Sequence, residues 1–152
     1  MVAHSDQAAI SLAWGQPVLK YRATIREIGP LVAEFLPHGI LIFFGMTAPA
    51  ELREVSLIHD GARLMAELAA GDLLRFITPA SQKESLQITC YRITAVGAVA
   101  NANLAELGHL VVHFDAAVSA NLPGTISVEP ALSSLPPVGT IFELLGLEGK
   151  RE

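Results

Sequence analysis

Cysteine is almost missing from this chain of 152 residues, which carries a single thiol at Cys90. One cysteine cannot close an internal disulfide, so the sequence is not a stapled scaffold, and a reducing cytoplasm is its expected setting. Charge is scarce as well, with Asp, Glu, Lys and Arg making up 16% of residues and a formal net charge of -5. The ten basic residues are scattered among fifteen acidic ones. That leaves no cationic stripe for a phosphate backbone, and nucleic acid is excluded as an expected partner. Long apolar runs are absent. The cleanest, Gly39 to Met46, falls far short of the ~20 residues of a spanning helix, and the Leu-rich stretch after Arg63 is broken by Glu67 and Asp72. Met1 to Gln16 carries His4 and Asp6, without the basic start and uninterrupted apolar stretch of a secretion signal.

The common catalytic templates are missing too. The sequence holds no G-x-x-x-x-G-K phosphate loop, no G-x-G-x-x-G, no G-x-S-x-G elbow, no H-E-x-x-H and no cysteine pair. What is abundant is apolar surface: 51% of residues are hydrophobic and the mean hydropathy is +0.45. Such a chain folds as one compact domain, and a surface with so little charge tends to find protein partners.

The sequence repeats itself. Lys20-Tyr21-Arg22-Ala23-Thr24 returns as Cys90-Tyr91-Arg92-Ile93-Thr94, and the echoes continue in order: Gly29 with Gly97, Leu36 with Leu104, Gly39 with Gly108, Val55-Ser56-Leu57 with Ile126-Ser127-Val128, and Gly71 with Gly139. Two copies are too few for a solenoid, so the repeat implies a closed domain with pseudo-two-fold symmetry. Its expected limits are an N-terminal extension over 1–17 that is frayed, one domain over 18–147 with repeats near 19–89 and 90–147, and a tail over 148–152.

Each repeat reads mainly as strands. Leu19–Ile28, Ile40–Phe44, Val55–His59, Leu73–Thr78, Leu86–Val96, His109–Phe114, Thr125–Val128 and Thr140–Leu144 are short runs rich in β-branched and aromatic residues, bounded by turn formers. The pattern predicts an all-β closed barrel with one or two short helical turns. Thr47-Ala48-Pro49-Ala50-Glu51 has the order of a helix start, Asn101–Leu107 leads to Gly108, and Ala62–Ala70 has helical propensity before Gly71.

Histidines are the only side chains here suited to transfer chemistry near neutral pH. His4 lies in the expected frayed start, and His38 sits in a turn between Pro37 and Gly39. His109 and His113 flank a strand-like Leu-Val-Val; at ~3.3 Å per residue they stand roughly 13 Å apart, too far for one metal ion, and no metal site is expected. His113 reads as an outer-face strand residue. His59 differs, because it ends the apolar run Val55-Ser56-Leu57-Ile58 and precedes Asp60-Gly61, where turn N–H groups are available to an anion. His109, after Gly108 at a strand start, is the second candidate.

The segments Ile93-Thr94-Ala95-Val96-Gly97, Asn103-Leu104-Ala105-Glu106-Leu107-Gly108-His109, Phe114-Asp115 and Pro123-Gly124-Thr125, together with Ala48-Pro49-Ala50-Glu51-Leu52 and Ser56-Leu57-Ile58-His59, carry a family resemblance. Across Tyr21 to Glu129 the chain resembles the glucitol/sorbitol-specific IIA component of the bacterial phosphoenolpyruvate-dependent sugar phosphotransferase system. The resemblance implies a cytoplasmic β-barrel that works as a phosphotransferase component without a cofactor. It also implies that His59, at the family's Ile-His motif, takes a phosphoryl group from the carrier HPr. The group would pass to a cysteine of the IIB component and reach a polyol entering through the membrane IIC component. Met1 to Gln16 and the stretch Ala80–Leu86 extend beyond the family pattern.

On that reading Asp60, Gly61 and His109 are candidates to orient the imidazole or hold the phosphoryl group. Leu57, Phe43, Phe44 and Met46 are candidates for an exposed apolar docking face around an accessible His59, with no sugar pocket. One competing reading keeps the barrel as a phosphorylation-dependent regulatory or binding module. Another, a small-molecule-binding barrel, requires His59 to be buried in a closed apolar cavity.

Overall fold

The computed structural model describes residues 16–61, 63–79 and 86–147. The expectations for 1–15, for the tail 148–152 and for most of the Ala80–Leu86 stretch lie outside the described residues.

Eight strands close into a barrel: β1 (Pro17–Ile28), β2 (Ile40–Gly45), β3 (Leu57–His59), β4 (Leu73–Pro79), β5 (Leu86–Val96), β6 (Leu110–His113), β7 (Thr125–Glu129) and β8 (Ile141–Leu147). Around the barrel the order is β1-β3-β2-β6-β7-β5-β4-β8. The β2–β3 and β6–β7 pairs are parallel and the remaining pairs antiparallel. Exchanging β1–β4 for β5–β8 reproduces the same cyclic order, so the barrel has the two-fold repeat that the sequence predicts.

Strand alternation builds the core. Tyr21, Ala23 and Ile25 of β1 point inward, as do Tyr91, Ile93 and Ala95 of β5, and all six are buried. An eight-stranded barrel is just wide enough for side chains to fill. Phe43, Phe76, Phe142 and the two tyrosines fill this one, with Phe43 and Phe142 4.6 Å apart between ring centroids. Each fully buried Leu, Ile or Phe contributes ~1.5–3 kcal/mol.

The helical pieces occupy matching places in the two halves. A 3-10 helix, Val32–His38, follows β1, and an α-helix, α2 (Ala100–Leu107), follows β5. They end on Gly39 and Gly108, both left-handed at φ 69 and 67°, where glycine avoids the Cβ penalty. A single turn, α1 (Ala50–Arg53), stands where the Thr47–Glu51 start signal predicts one.

Two expectations change. The described part of Ala62–Ala70 is not helical, because its amides bond elsewhere: Met65 N–H donates to the Lys20 carbonyl at 2.8 Å and Leu68 N–H to Asn101 Oδ1 at 2.7 Å. Leu68 itself is buried in the core, so tertiary contacts outweigh helical propensity here.

The repeat alignment also shifts by two residues. Gly29 N–H donates to the Ser56 carbonyl as Gly97 N–H does to that of Thr125, and a register irregularity falls at Ile25/Glu27 in one half and Ile93/Ala95 in the other. The sequence match of Val55-Ser56-Leu57 with Ile126-Ser127-Val128 sets His59 opposite Pro130, whereas these landmarks set Leu57 opposite Ile126 and His59 opposite Val128.

Candidate functional site

His59 is the last residue of β3. Its Cα partners are Ile25 of β1 and Gly45 of β2, and alternation with Leu57 turns its side chain into the barrel. The ring is wholly buried, at 0% exposure. Phe142 meets it edge-on at 5.1 Å, Tyr21 edge-on at 5.9 Å and Phe43 at 6.5 Å.

Both ring nitrogens bond to backbone. Gly61 N–H donates to Nδ1 at 3.0 Å, and Nε2 lies 2.7 Å from the Gly108 carbonyl oxygen. An N–H pointing at Nδ1 makes that nitrogen an acceptor, so the proton sits on Nε2 and is donated to Gly108. The imidazole is therefore held as one neutral tautomer. Burial lowers its pKa below the ordinary histidine value, against the opposing pull of the Gly108 bond and the Asp60 charge.

Above the ring lies an open groove of about 260 Å³, bounded by the Gly45–Thr47 turn, the Asp60–Gly61 turn and the end of α2 from Leu104 to Gly108, with Tyr21 also lining it. The two backbone groups that hold the imidazole belong to its walls. Both walls are glycine for steric reasons: a Cβ on Gly108 would stand 2.9 Å from His59 Cε1, and one on Gly61 would stand 2.5 Å from the Tyr21 hydroxyl.

The other candidate residues divide. Asp60 turns its carboxylate away from the ring, accepting from Thr24 N–H at 2.8 Å and from Arg26 at 2.9 Å. Burial works against its charge, but these partners prevail and hold the carboxyl below its usual value. The orienting acceptor for His59 is thus a carbonyl, that of Gly108. His109 stacks on Phe44 at 4.7 Å on the outer face of the barrel, with Nδ1 3.2 Å from the Phe43 carbonyl oxygen, and it does not line the groove.

The expected docking face is corrected as well. Leu57 and Phe43 are in the core, and Phe44 is covered in a small cluster with Ala48 and Ile58, because period-two alternation buries both faces of these short central strands. Only Met46, 49% exposed, is at the surface. Nor is His59 accessible, as a docking face would require. It has the burial expected of a ligand-binding barrel without the cavity, since aromatic rings fill the space around it.

Tyr21, Gly108 and Phe142 are site residues that the sequence reading passed over. The Gly-His pair at 108–109 is the sequence signal there, and the glycine's carbonyl, not the neighbouring histidine, bonds the ring. Among the described residues there is no cluster of three or more His, Cys, Asp or Glu side chains able to hold a metal ion.

A second groove, of about 560 Å³, shares part of this lining across the two-fold, with Tyr91, Ala116, Glu129 and Pro130 answering Tyr21, Thr47, Asp60 and Gly61, and is completed by Leu73, Cys90 and Arg92 rather than by a helix end. There Val128 stands in the place of His59, and Tyr91 packs edge-on against Phe114 at 5.0 Å, as Tyr21 packs against the imidazole. The buried histidine is thus present in one half of the barrel, and an aliphatic residue takes its place in the other.

These features define a class of closed, duplicated β-barrels whose interior is filled by side chains, here with one neutral imidazole buried beneath a shallow groove. Comparison with known proteins narrows the class. Residues 20–143 match the family model described as the PTS system glucitol/sorbitol-specific IIA component. The glucitol/sorbitol-specific EIIA components of Shigella flexneri and Escherichia coli K12 are each 40% identical to this chain over 108 residues, which is 71% of the chain and 80% of theirs. The crystal structure of a PTS system IIA component from Enterococcus faecalis V583 superposes with a TM-score of 0.64 at 26% identity, covering 82% of this chain and 99% of that one. The chain belongs to the family of glucitol/sorbitol-specific IIA components of the phosphotransferase system. Membership assigns it the role of a phosphotransferase component, working with other components of that system.

Proposed function

We propose that His59 is the phosphoryl carrier of this protein. It accepts the group from the phosphohistidine of HPr and passes it to a cysteine of the IIB component, in the uptake of glucitol, sorbitol or a related polyol at the cytoplasmic side of the membrane. The observation that carries the reading is the imidazole itself: neutral, fixed in one tautomer by the Gly108 carbonyl and the Gly61 N–H, and set beneath the groove. A neutral ring, its Nε2 proton held by a carbonyl and its Nδ1 lone pair covered only by the Gly61 N–H, is one such bond away from the state a histidine nucleophile needs. In the first transfer a bond forms from the His59 nitrogen to phosphorus as the donor's nitrogen–phosphorus bond breaks. In the second a sulfur–phosphorus bond forms as that of His59 breaks. Charge in the loose transition state rests on the equatorial oxygens, which positioned N–H and O–H donors stabilise.

Because the ring is fully buried and Nε2 carries the proton, transfer at Nδ1 requires the Gly61 N–H bond to open while the Gly108 carbonyl keeps its hold on Nε2. The wall that must move is the Asp60–Gly61 turn, and the groove's apolar rim includes exposed Met46 and Leu107. Incubation with phosphoenolpyruvate, enzyme I and HPr tests the assignment. Wild-type protein should take up one acid-labile phosphoryl group, and His59→Ala none. Label retained by His59→Ala but lost in His109→Ala would overturn it.

A further inference from the structure

Tyr21 has a hydroxyl that the carrier reading leaves without a task. Its ring is 1% exposed, stacked on Phe142 at 6.1 Å and set edge-on to His59, yet the residue lines the groove. The hydroxyl lies against Gly61, where a Cβ would stand 2.5 Å from it, and the N–H of Gly61 is the group that meets His59 Nδ1. Phenol oxygen, turn amide and imidazole edge therefore converge on one corner of the groove.

The hydroxyl is also a durable donor. Burial, with the negative charge of Asp60 adding to it, pushes the Tyr21 pKa up to about 12, so the group keeps its proton throughout the physiological range. Asp60, the nearby acceptor, is already engaged by Thr24 and Arg26.

We propose that Tyr21 is a catalytic residue whose hydroxyl donates a hydrogen bond to an oxygen of the phosphoryl group as it is transferred to and from His59. The inference rests on His59 being the carrier. Tyr21 gives up no proton in either step: the phosphorus exchanges the donor's nitrogen for that of His59, and later the His59 nitrogen for the cysteine sulfur, while the O–H steadies the charge on an equatorial oxygen. The pseudo-symmetric tyrosine, Tyr91, packs on Phe114, with Val128 in the histidine's place, and has no such task.

Rapid-quench measurement of transfer from phospho-HPr separates the possibilities. Tyr21→Phe keeps the ring and should slow the transfer step roughly 10- to 100-fold, within the range for loss of one preorganised donor, while leaving the KM for phospho-HPr unchanged. Tyr91→Phe should transfer at the wild-type rate. A Tyr21→Phe protein with wild-type transfer, alongside a silent His59→Ala, overturns the Tyr21 proposal alone; a His59→Ala protein that is still labelled overturns the carrier reading.

Should Tyr21→Phe fold poorly, a second measurement remains. The chain has two tyrosines. Fluorotyrosine incorporated into the Tyr91→Phe protein therefore reports on Tyr21 only. Its fluorine resonance should shift on phosphorylation, and the phosphohistidine phosphorus resonance should move when fluorination makes the phenol a stronger donor. An unmoved phosphorus resonance overturns the proposal.

Discussion

At the scale of single residues, the site depends on positions that have no side chain. Gly108 adopts φ 67° and sits where a Cβ would press on both His59 Cε1 and the Gly45 backbone at 2.9–3.0 Å. Gly108→Ala should therefore lower stability by about 2–4 kcal/mol, strain in the left-handed region adding to overpacking. Urea unfolding reads this directly, and a loss below about 0.5 kcal/mol would show that the corner gives way freely. His59 itself makes stability depend on pH. Its folded pKa lies below the unfolded value of about 6.5, so the unfolded state binds the proton more readily. The stabilisation is complete above that pH and is lost as pH falls through the folded pKa, with a slope of up to ~1.4 kcal/mol per unit from this group. Melting curves from pH 7.5 to 5 should steepen downward for wild type and flatten for His59→Gln. His59 was legible as a candidate because it ends an apolar strand before Asp-Gly. Its burial was not, since period-two alternation places it inward only once the neighbouring strands are known.

At the scale of elements, the two halves differ by one residue where the 3-10 helix Val32–His38 answers the α-helix α2. The matched amide bonds fix their starts at Val32 and Ala100, and Gly39 and Gly108 fix their ends. The extra residue in the second half lengthens α2, whose end reaches the groove and presents the Gly108 carbonyl to His59. Deleting one residue within Asn101–Leu107 should shift that carbonyl and abolish phosphoryl transfer while the barrel's circular dichroism persists. A second prediction concerns the β1–β8–β4 seam. Glu143 is 4% exposed and lies between Arg22 and Arg75, accepting from Arg75 at 2.6 and 3.0 Å. Glu143→Ala breaks a partly buried ion pair and should cost about 1–3 kcal/mol, less than a fully buried pair because both arginines reach solvent. Thermal melts of the variant would check it. The strands themselves were largely legible from β-branched runs and turn residues, whereas the non-helical 63–70 stretch was not, because Lys20 and Asn101 claim its amides from distant parts of the chain.

At the scale of the whole molecule, the barrel is a duplicated unit whose halves do not close separately. Strand β4 pairs only with β5 and β8, and β1 takes β8 as one of its two neighbours. Neither the 18–89 nor the 90–147 fragment should fold alone, each leaving open edges and an unfilled interior; amide proton dispersion in each fragment would test this. The few charges sit largely on the outer faces of the long strands, where Arg22 and Arg75 meet Glu143 and Arg92 meets Glu129, while the inward faces are apolar.

The sequence by itself determined the duplication, the all-β character, the helical stretch that leads to Gly108 and the histidine after Ile58, but not the 3-10 helix Val32–His38 that ends on Gly39. These follow from local chemistry: strand propensity, turn residues and the conformational freedom of glycine. Only the tertiary structure decided that His59 is buried rather than displayed, that the Gly108 carbonyl rather than Asp60 orients it, that His109 faces away, and that Tyr21 brings a hydroxyl to the groove. Each of those outcomes depends on which distant strand lies alongside β3, and strand pairing is set by the closure of the whole barrel.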